Sequence, residues 1–256
     1  MPPLILALVL ASVTPASTTQ LSRRCVVAGA GAAAAAPRAA RAVEKGGVQW
    51  SLDIPEQFAV SRQLASLVRV KRETMLQAED EASGAVIKLL LLPLGQQAGG
   101  SLDADEQLKL ANVLLGDGGV SEADAAAVAT IMTASAKRSP GVASLTRMGG
   151  ATGASEGGRG YVRYGYALER CTGGELLDDG ECLGGSLAKR KTLAAVTISS
   201  ISQFRTNTER ERMRELGQVR NVDVLWLLTL SAPDGPAWAS TLEPTFDKVR
   251  RSLRVL

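Results

Sequence analysis

Three cysteines and no histidine decide which chemistries are open to this 256-residue chain. Without His there is no Ser-His-Asp triad, no Cys-His pair and no two-His metal site. Catalysis would have to run on carboxylates, Lys, Arg, Tyr, Ser or backbone groups, and no catalytic residue can be named. Cys171 and Cys182 have ten residues between them. They lie in a Gly-rich stretch between two predicted strands, where a disulfide would fasten the loop with roughly 3 kcal/mol. Two unrelated thiols are the alternative reading. The pair is not Cys-x-x-Cys, which argues against redox chemistry. Glu175, Asp178, Asp179 and Glu181 crowd the same loop. Calcium takes six to eight oxygens, but the spacing is not that of an EF-hand and a solvated acidic loop explains it better, so the metal ligands stay unknown. Asp103, Asp105 and Glu106 read as helix-start acids. The run Gly153–Gly160 lacks the Gly-Lys-Ser/Thr ending of a P-loop and leads into a strand, so it is not a phosphate site.

Charge placement separates a leader from the rest. Residues 1–42 carry Arg23, Arg24, Arg38 and Arg41 and no acid. Removing those four from 29 basic residues leaves 25 against 26 acids, a net of −1. The basic character therefore belongs to the leader and does not indicate nucleic acid. Aromatics make up 4% of the chain, too few for a base-stacking surface. Leu4–Val13 has the length of a signal-peptide core and is too short to span a bilayer. Ser22-Arg23-Arg24, the Ala-rich stretch after it and Ala40-Arg41-Ala42 follow the pattern of a second, twin-arginine export signal. Two signals in series imply two membrane crossings, as for a thylakoid-lumen protein of an alga whose plastid lies inside the endomembrane system. A bacterial periplasmic protein, needing one signal, is the weaker alternative. An exporting leader would bring Cys171 and Cys182 to an oxidising compartment and favours the disulfide.

Residues 43–256 fit one domain. Alternation and turn residues predict strands at Val48–Ile54, Leu67–Leu76, Ala85–Leu92, Val142–Met148, Tyr161–Arg170, Lys191–Phe204 and Val222–Leu230. Helices are expected after the caps Ser101 and Ser121 and over Trp238–Leu253, with a short extended piece as an alternative close to the last. Gly149–Gly160 and Cys171–Arg190 read as loops. Residues 205–220 read as a charged insertion or arm, with Arg210, Arg212, Arg214 and Arg220 as docking candidates. Strands grouped rather than alternating with helices argue for an α+β fold on an antiparallel sheet. Trp50, Trp226 and Trp238 are expected in the core.

Four places in the mature chain resemble the PsbP family of thylakoid-lumen proteins. They are Trp50-Ser51-Leu52-Asp53-Ile54-Pro55; Tyr161, Tyr164 and Tyr166 ahead of Glu169; Leu228-Thr229-Leu230-Ser231-Ala232-Pro233 followed by Trp238; and Phe246 with Arg251-Ser252-Leu253-Arg254-Val255. The chain departs from the family in Leu253, where Phe is usual, and in the insertion. The resemblance implies an α/β/α sandwich around a central antiparallel sheet. It also implies a non-catalytic extrinsic protein on the lumenal face of photosystem II, peripheral rather than spanning, that helps retain calcium and chloride at the oxygen-evolving cluster. No covalent cofactor is implied, and calcium is the candidate ion. A PsbP-like assembly or stability factor for a photosystem is the neighbouring alternative. A lumenal enzyme using Ser, Lys or carboxylate chemistry is the alternative of another class.

Overall fold

The computed structural model describes residues 38–42, 50–64, 72–94, 102–116, 119–202, 212, 215 and 221–255, with backbone alone for 38–42 and 202. Strand β1 (Arg38–Ala42), β2 (Trp50–Ile54), β3 (Ala59–Gln63), β4 (Glu73–Asp80) and β5 (Ala85–Pro93) come first. Helices α1 (Ala104–Leu114) and α2 (Glu122–Lys137) follow. Then come β6 (Val142–Glu156), β7 (Arg159–Thr172), β8 (Glu175–Leu176), β9 (Cys182–Leu183), β10 (Ser186–Ser202) and β11 (Asn221–Pro233). A π-helical turn (Trp238–Leu242), helix α3 (Glu243–Ser252) and β12 (Arg254–Val255) end the described chain.

Seven strands form one sheet in the order β3-β4-β5-β11-β10-β7-β6, every neighbouring pair antiparallel. A second, three-stranded sheet runs β1-β2-β12, also antiparallel. The fold is α+β on an antiparallel sheet. Of the expected leader 1–42, only Arg38–Ala42 is described, and it pairs along β2.

Alternation along β11 separates two cores. Trp226, Leu228 and Leu230 join Trp50, Leu52, Ile54, Phe246 and Val249 in one cluster. Leu225 joins Leu110, Leu114, Val128, Val162, Tyr164 and Val196 in the other. Successive strand side chains point to opposite faces, so each face of the large sheet has its own apolar cover. A fully buried Leu or Phe side chain contributes roughly 1.5–3 kcal/mol, which makes both covers necessary. Trp226 is fully buried, and its indole N–H donates to Ser199 Oγ at 2.9 Å. Trp50 and Trp238 are buried as well.

Several boundaries differ from the sequence reading. β4 begins at Glu73 rather than Leu67 (67–71 lie outside the described residues), and a bulge between Thr74 and Leu76 lets Met75 and Leu76 both be buried. α1 is capped by Asp103, whose carboxylate accepts from Glu106 N while Glu106 Oε2 accepts from Asp103 N, a reciprocal capping box. Ser121 caps α2. The short piece after the C-terminal helix is a strand, β12, paired with β2.

The largest correction concerns Gly149–Gly160. Most of this run is strand: β6 continues to Glu156 and β7 begins at Arg159. Gly157 and Gly158, both with positive φ (59° and 77°), make a two-residue hairpin turn of the primed kind. Gly153 and Gly160 admit a neighbour. A Cβ on Gly153 would collide with Val120 O, and one on Gly160 would lie 2.8 Å from Val120 Cγ2 and 3.2 Å from Leu114 Cα. Val120, in the connection from α1 to α2, thus rests directly on the strand backbone. Gly153→Ala should cost about 1–3 kcal/mol by overpacking, read as a lower denaturant midpoint. Gly150→Ala, with nothing within 4 Å of its Cβ, should show no such loss. Equal effects would contradict the close approach.

Candidate functional site

Cys171 and Cys182 are disulfide-bonded, with Cα atoms 5.3 Å apart. The segment holding them is shorter than the loop read from sequence. β7 runs on to Thr172, which pairs with Ser186 at the start of β10. Residues 173–185 between them are not a plain loop, because β8 and β9 form a small antiparallel ladder, Glu175↔Leu183 and Leu176↔Cys182. Leu177 N donates to Glu181 O, and Gly180 N donates to Leu177 O, closing the tip. The bridge therefore pins an arm rather than a slack connection. Leu177, Leu183 and Leu187 are exposed on or beside it, Leu183 the most at 62%. Glu175, Asp178, Asp179 and Glu181 are exposed there too. Asp179 Oδ1 accepts from Glu181 N, a turn-stabilising bond. Among the described residues no group of three or more Cys, Asp or Glu is placed to hold a metal ion.

Beside the arm, Lys189 and Glu169 are cross-strand partners, Nζ to Oε1 2.8 Å. The hydrogen bond from Lys189, then that from Ser144, holds the Glu169 carboxyl below its usual value, and Glu169 in turn raises Lys189. Of the docking candidates, Arg212 is helical and exposed. Arg210, Arg214 and Arg220 lie outside the described residues.

The chain terminus is tied to the β6–β7 hairpin by charge. Arg163, 7% exposed, bonds Glu156 Oε1 at 2.8 Å, and Arg254 Nη1 lies 2.6 Å from Glu156 Oε2. The second contact is an ion pair without good hydrogen-bond alignment, since Oε2 accepts no directed bond. Tyr161 Oη accepts from Val255 N at 3.0 Å. Burial raises the Tyr161 pKa above its ordinary value, the bond from Val255 opposing it.

Sequence reasoning missed one feature. A cavity of about 440 Å³ opens on the α1–α2 side of the large sheet. The helices pack chiefly on β6, β7 and β10, leaving the same face of β5 and β11 less covered. Leu90 sits opposite Leu227, and Leu92 opposite Leu225. Leu90, Leu92 and Leu227 are half-buried and form the cavity floor. Tyr164 lines the wall and stacks with Tyr166, ring centres 6.2 Å apart. Burial, then the neighbouring Tyr166, pushes the Tyr164 phenol well above its ordinary value, so it stays protonated. Arg72, Arg138 and Arg170 stand at the exposed rim. The signal in the sequence was the run Leu89–Leu92, read as a central strand. Its burial alternates, one face complete and the other partial.

Among the described residues no helix is long and apolar enough to cross a membrane. No protein-family model matches the chain, and no curated protein matches it. Among solved structures it is similar to LpqN, a protein involved in cell envelope biogenesis of Mycobacterium tuberculosis. That similarity has a TM-score of 0.37 and 12% identity, over 85% of this chain and 90% of the other. A likeness of that strength assigns neither fold family nor function.

Removing the disulfide by Cys171→Ala with Cys182→Ala should lower unfolding free energy by about 2–3 kcal/mol in the chain-entropy model. The same drop should follow treatment of the unaltered chain with a thiol reductant. An unfolding midpoint indifferent to reductant would show that the arm does not depend on the bridge.

Proposed function

We propose that this chain is a non-catalytic, PsbP-like extrinsic protein of the thylakoid lumen that docks to photosystem II and supports calcium and chloride retention there. In this reading the two covered faces of the large sheet are the layers of the α/β/α sandwich to which the family resemblance points.

The observation that carries the proposal is where the four resembling places meet. They are far apart in sequence, yet Trp50, Leu52 and Ile54, Tyr161, Leu228 and Leu230, Trp238, and Phe246, Leu253 and Val255 belong to one buried cluster. They also touch directly. Val255 pairs with Trp50 across two strands. Val255 N donates to Tyr161 Oη. Asp53 N donates to Ser252 Oγ at 2.9 Å. Trp238 meets Phe246 edge-on with ring centres 5.8 Å apart. Tyr164 and Tyr166, of the same motif as Tyr161, belong to the opposite cluster.

Docking needs presented side chains rather than a reacting centre. The pinned arm offers exposed Leu177, Leu183 and Leu187 ringed by acids, the composition of a partner-facing patch. Lys189 is held protonated by Glu169, so it serves as a cation and not as a base. With a net of −1 outside the leader, attachment rests on local charge pairs, which are screened over about 10 Å at 0.1 M salt and about 3 Å at 1 M. Arg210, Arg212, Arg214 and Arg220 supply the basic side of such pairs in this reading.

Graded salt washing of thylakoid membranes, followed by immunodetection across native complexes, tests the proposal. Release from photosystem II at high salt, with oxygen evolution lost and then rescued by added calcium, is expected. Changing the four arginines to Gln should move release to lower salt. Co-migration with photosystem I or with an assembly intermediate would replace the photosystem II role with that of an assembly factor. A chain bound to no photosynthetic complex would overturn both.

A further inference from the structure

Strand β1 falls inside the stretch that the sequence assigns to the leader, yet the fold uses it. Arg38–Ala42 runs antiparallel to β2 with all five residues in register, from Arg38↔Ile54 to Ala42↔Trp50. Three of the five are Ala, which is depleted in strands, so β1 is extended because β2 pairs with it. On its other side β2 meets the two-residue β12, at Trp50 and Ser51 alone. Leu52, Asp53 and Ile54 therefore have β1 as their one strand partner among the described residues. Trp50, Leu52 and Ile54 are buried and belong to the cover over one face of the large sheet. The backbone of a buried strand needs partners that it cannot take from water. β1 also belongs to the same compact unit as the rest of the described chain.

We propose that β1 is a permanent strand of the mature protein, and that the leader is cut off upstream of Arg38 rather than after Ala42. The cut is a hydrolysis: one water adds across a peptide bond, leaving a carboxylate on the leader and a new amino terminus on the mature chain. A peptidase that binds its substrate as an added strand needs that segment's backbone groups free to pair with it. At Ala40-Arg41-Ala42 the backbone is already paired with β2, so cutting there requires β1 to be peeled off first. Peeling would also bare the edge of β2, and a bare edge is a template for unwanted pairing. The small-x-small pattern does not single out Ala40-Arg41-Ala42. Ala28-Gly29-Ala30, Ala30-Gly31-Ala32 and Ala34-Ala35-Ala36 satisfy it as well, and each precedes β1. The mature chain then keeps Arg38 and Arg41. Removing Arg23 and Arg24 from 29 basic residues leaves 27 against 26 acids, a net of +1 in place of −1. The inference rests on the export reading of the leader and not on which complex the chain meets.

The amino terminus of the chain purified from its own cells, read by intact mass and terminal peptide sequencing, tests it. The mature protein should begin at or before Arg38. A terminus beyond Arg38 overturns the proposal, and so does one at Met1, since no leader would then have been removed. The terminus can be read whether or not the chain sits on photosystem II. Trypsin provides a second test that needs no export. In the folded full chain the Arg41–Ala42 bond should be cut at least about tenfold more slowly than in a synthetic peptide of residues 36–46, because cleavage waits on local opening. Equal rates in chain and peptide would show that β2 does not hold β1, and would overturn the proposal whatever the terminus.

Discussion

A seven-stranded antiparallel sheet with apolar side chains on both faces must be covered twice, and most of this molecule follows from that requirement. β11 shows it most plainly. Leu225 and Trp226 are neighbours in sequence and fully buried, yet they belong to different cores. One face is closed by β2, the π-helical turn and α3. The other is closed by α1 and α2. The first cover is assembled from β2, which precedes the large sheet, and from the π-helical turn and α3, which follow it, whereas α1 and α2 are inserted between β5 and β6. The bond from Val255 N to Tyr161 Oη and the Glu156–Arg254 contact are where the last residues are fastened down.

The two covers do not fit equally. Seven strands spaced roughly 4.8 Å apart span about 29 Å between the outermost axes. Two helices, each about 10 Å across, cover about 20 Å. The shortfall falls over β5 and β11, and the half-buried leucines there are its consequence. Where the helices do fit, they fit closely, and that leaves no room for a side chain at Gly153 or Gly160. The shortfall thus accounts for the open cavity, and the close fit elsewhere for Gly153 and Gly160.

The sequence made the strand content legible because period-2 alternation is strong in Trp50–Ile54 and around Val222–Leu230. It also made the Ser121 cap and the C-terminal amphipathic helix legible. It misplaced Gly149–Gly160, since glycine signals a turn by its own preferences and nothing local reveals that a helix connection lies against it. It placed the residues of the pinned arm but could not show a ladder within it, because β8 and β9 pair over two residues each. The cavity was illegible for a different reason. Arg72, Tyr164 and Arg170 are unremarkable in sequence and line one cavity only because the sheet outruns its helices. Tyr164 drew attention only as part of a family-like motif, not for its buried hydroxyl.

The central functional claim is that this chain is held against the lumenal face of photosystem II. Lysine-reactive cross-linking of intact thylakoids, read by mass spectrometry, addresses it most directly. Lys189 and Lys248 are exposed and supply attachment points on the described surface. The account predicts cross-links from this chain to lumenal subunits of photosystem II, lost when the membranes are washed in high salt before the reagent is added. Cross-links that join the chain only to proteins outside the photosynthetic complexes would contradict it.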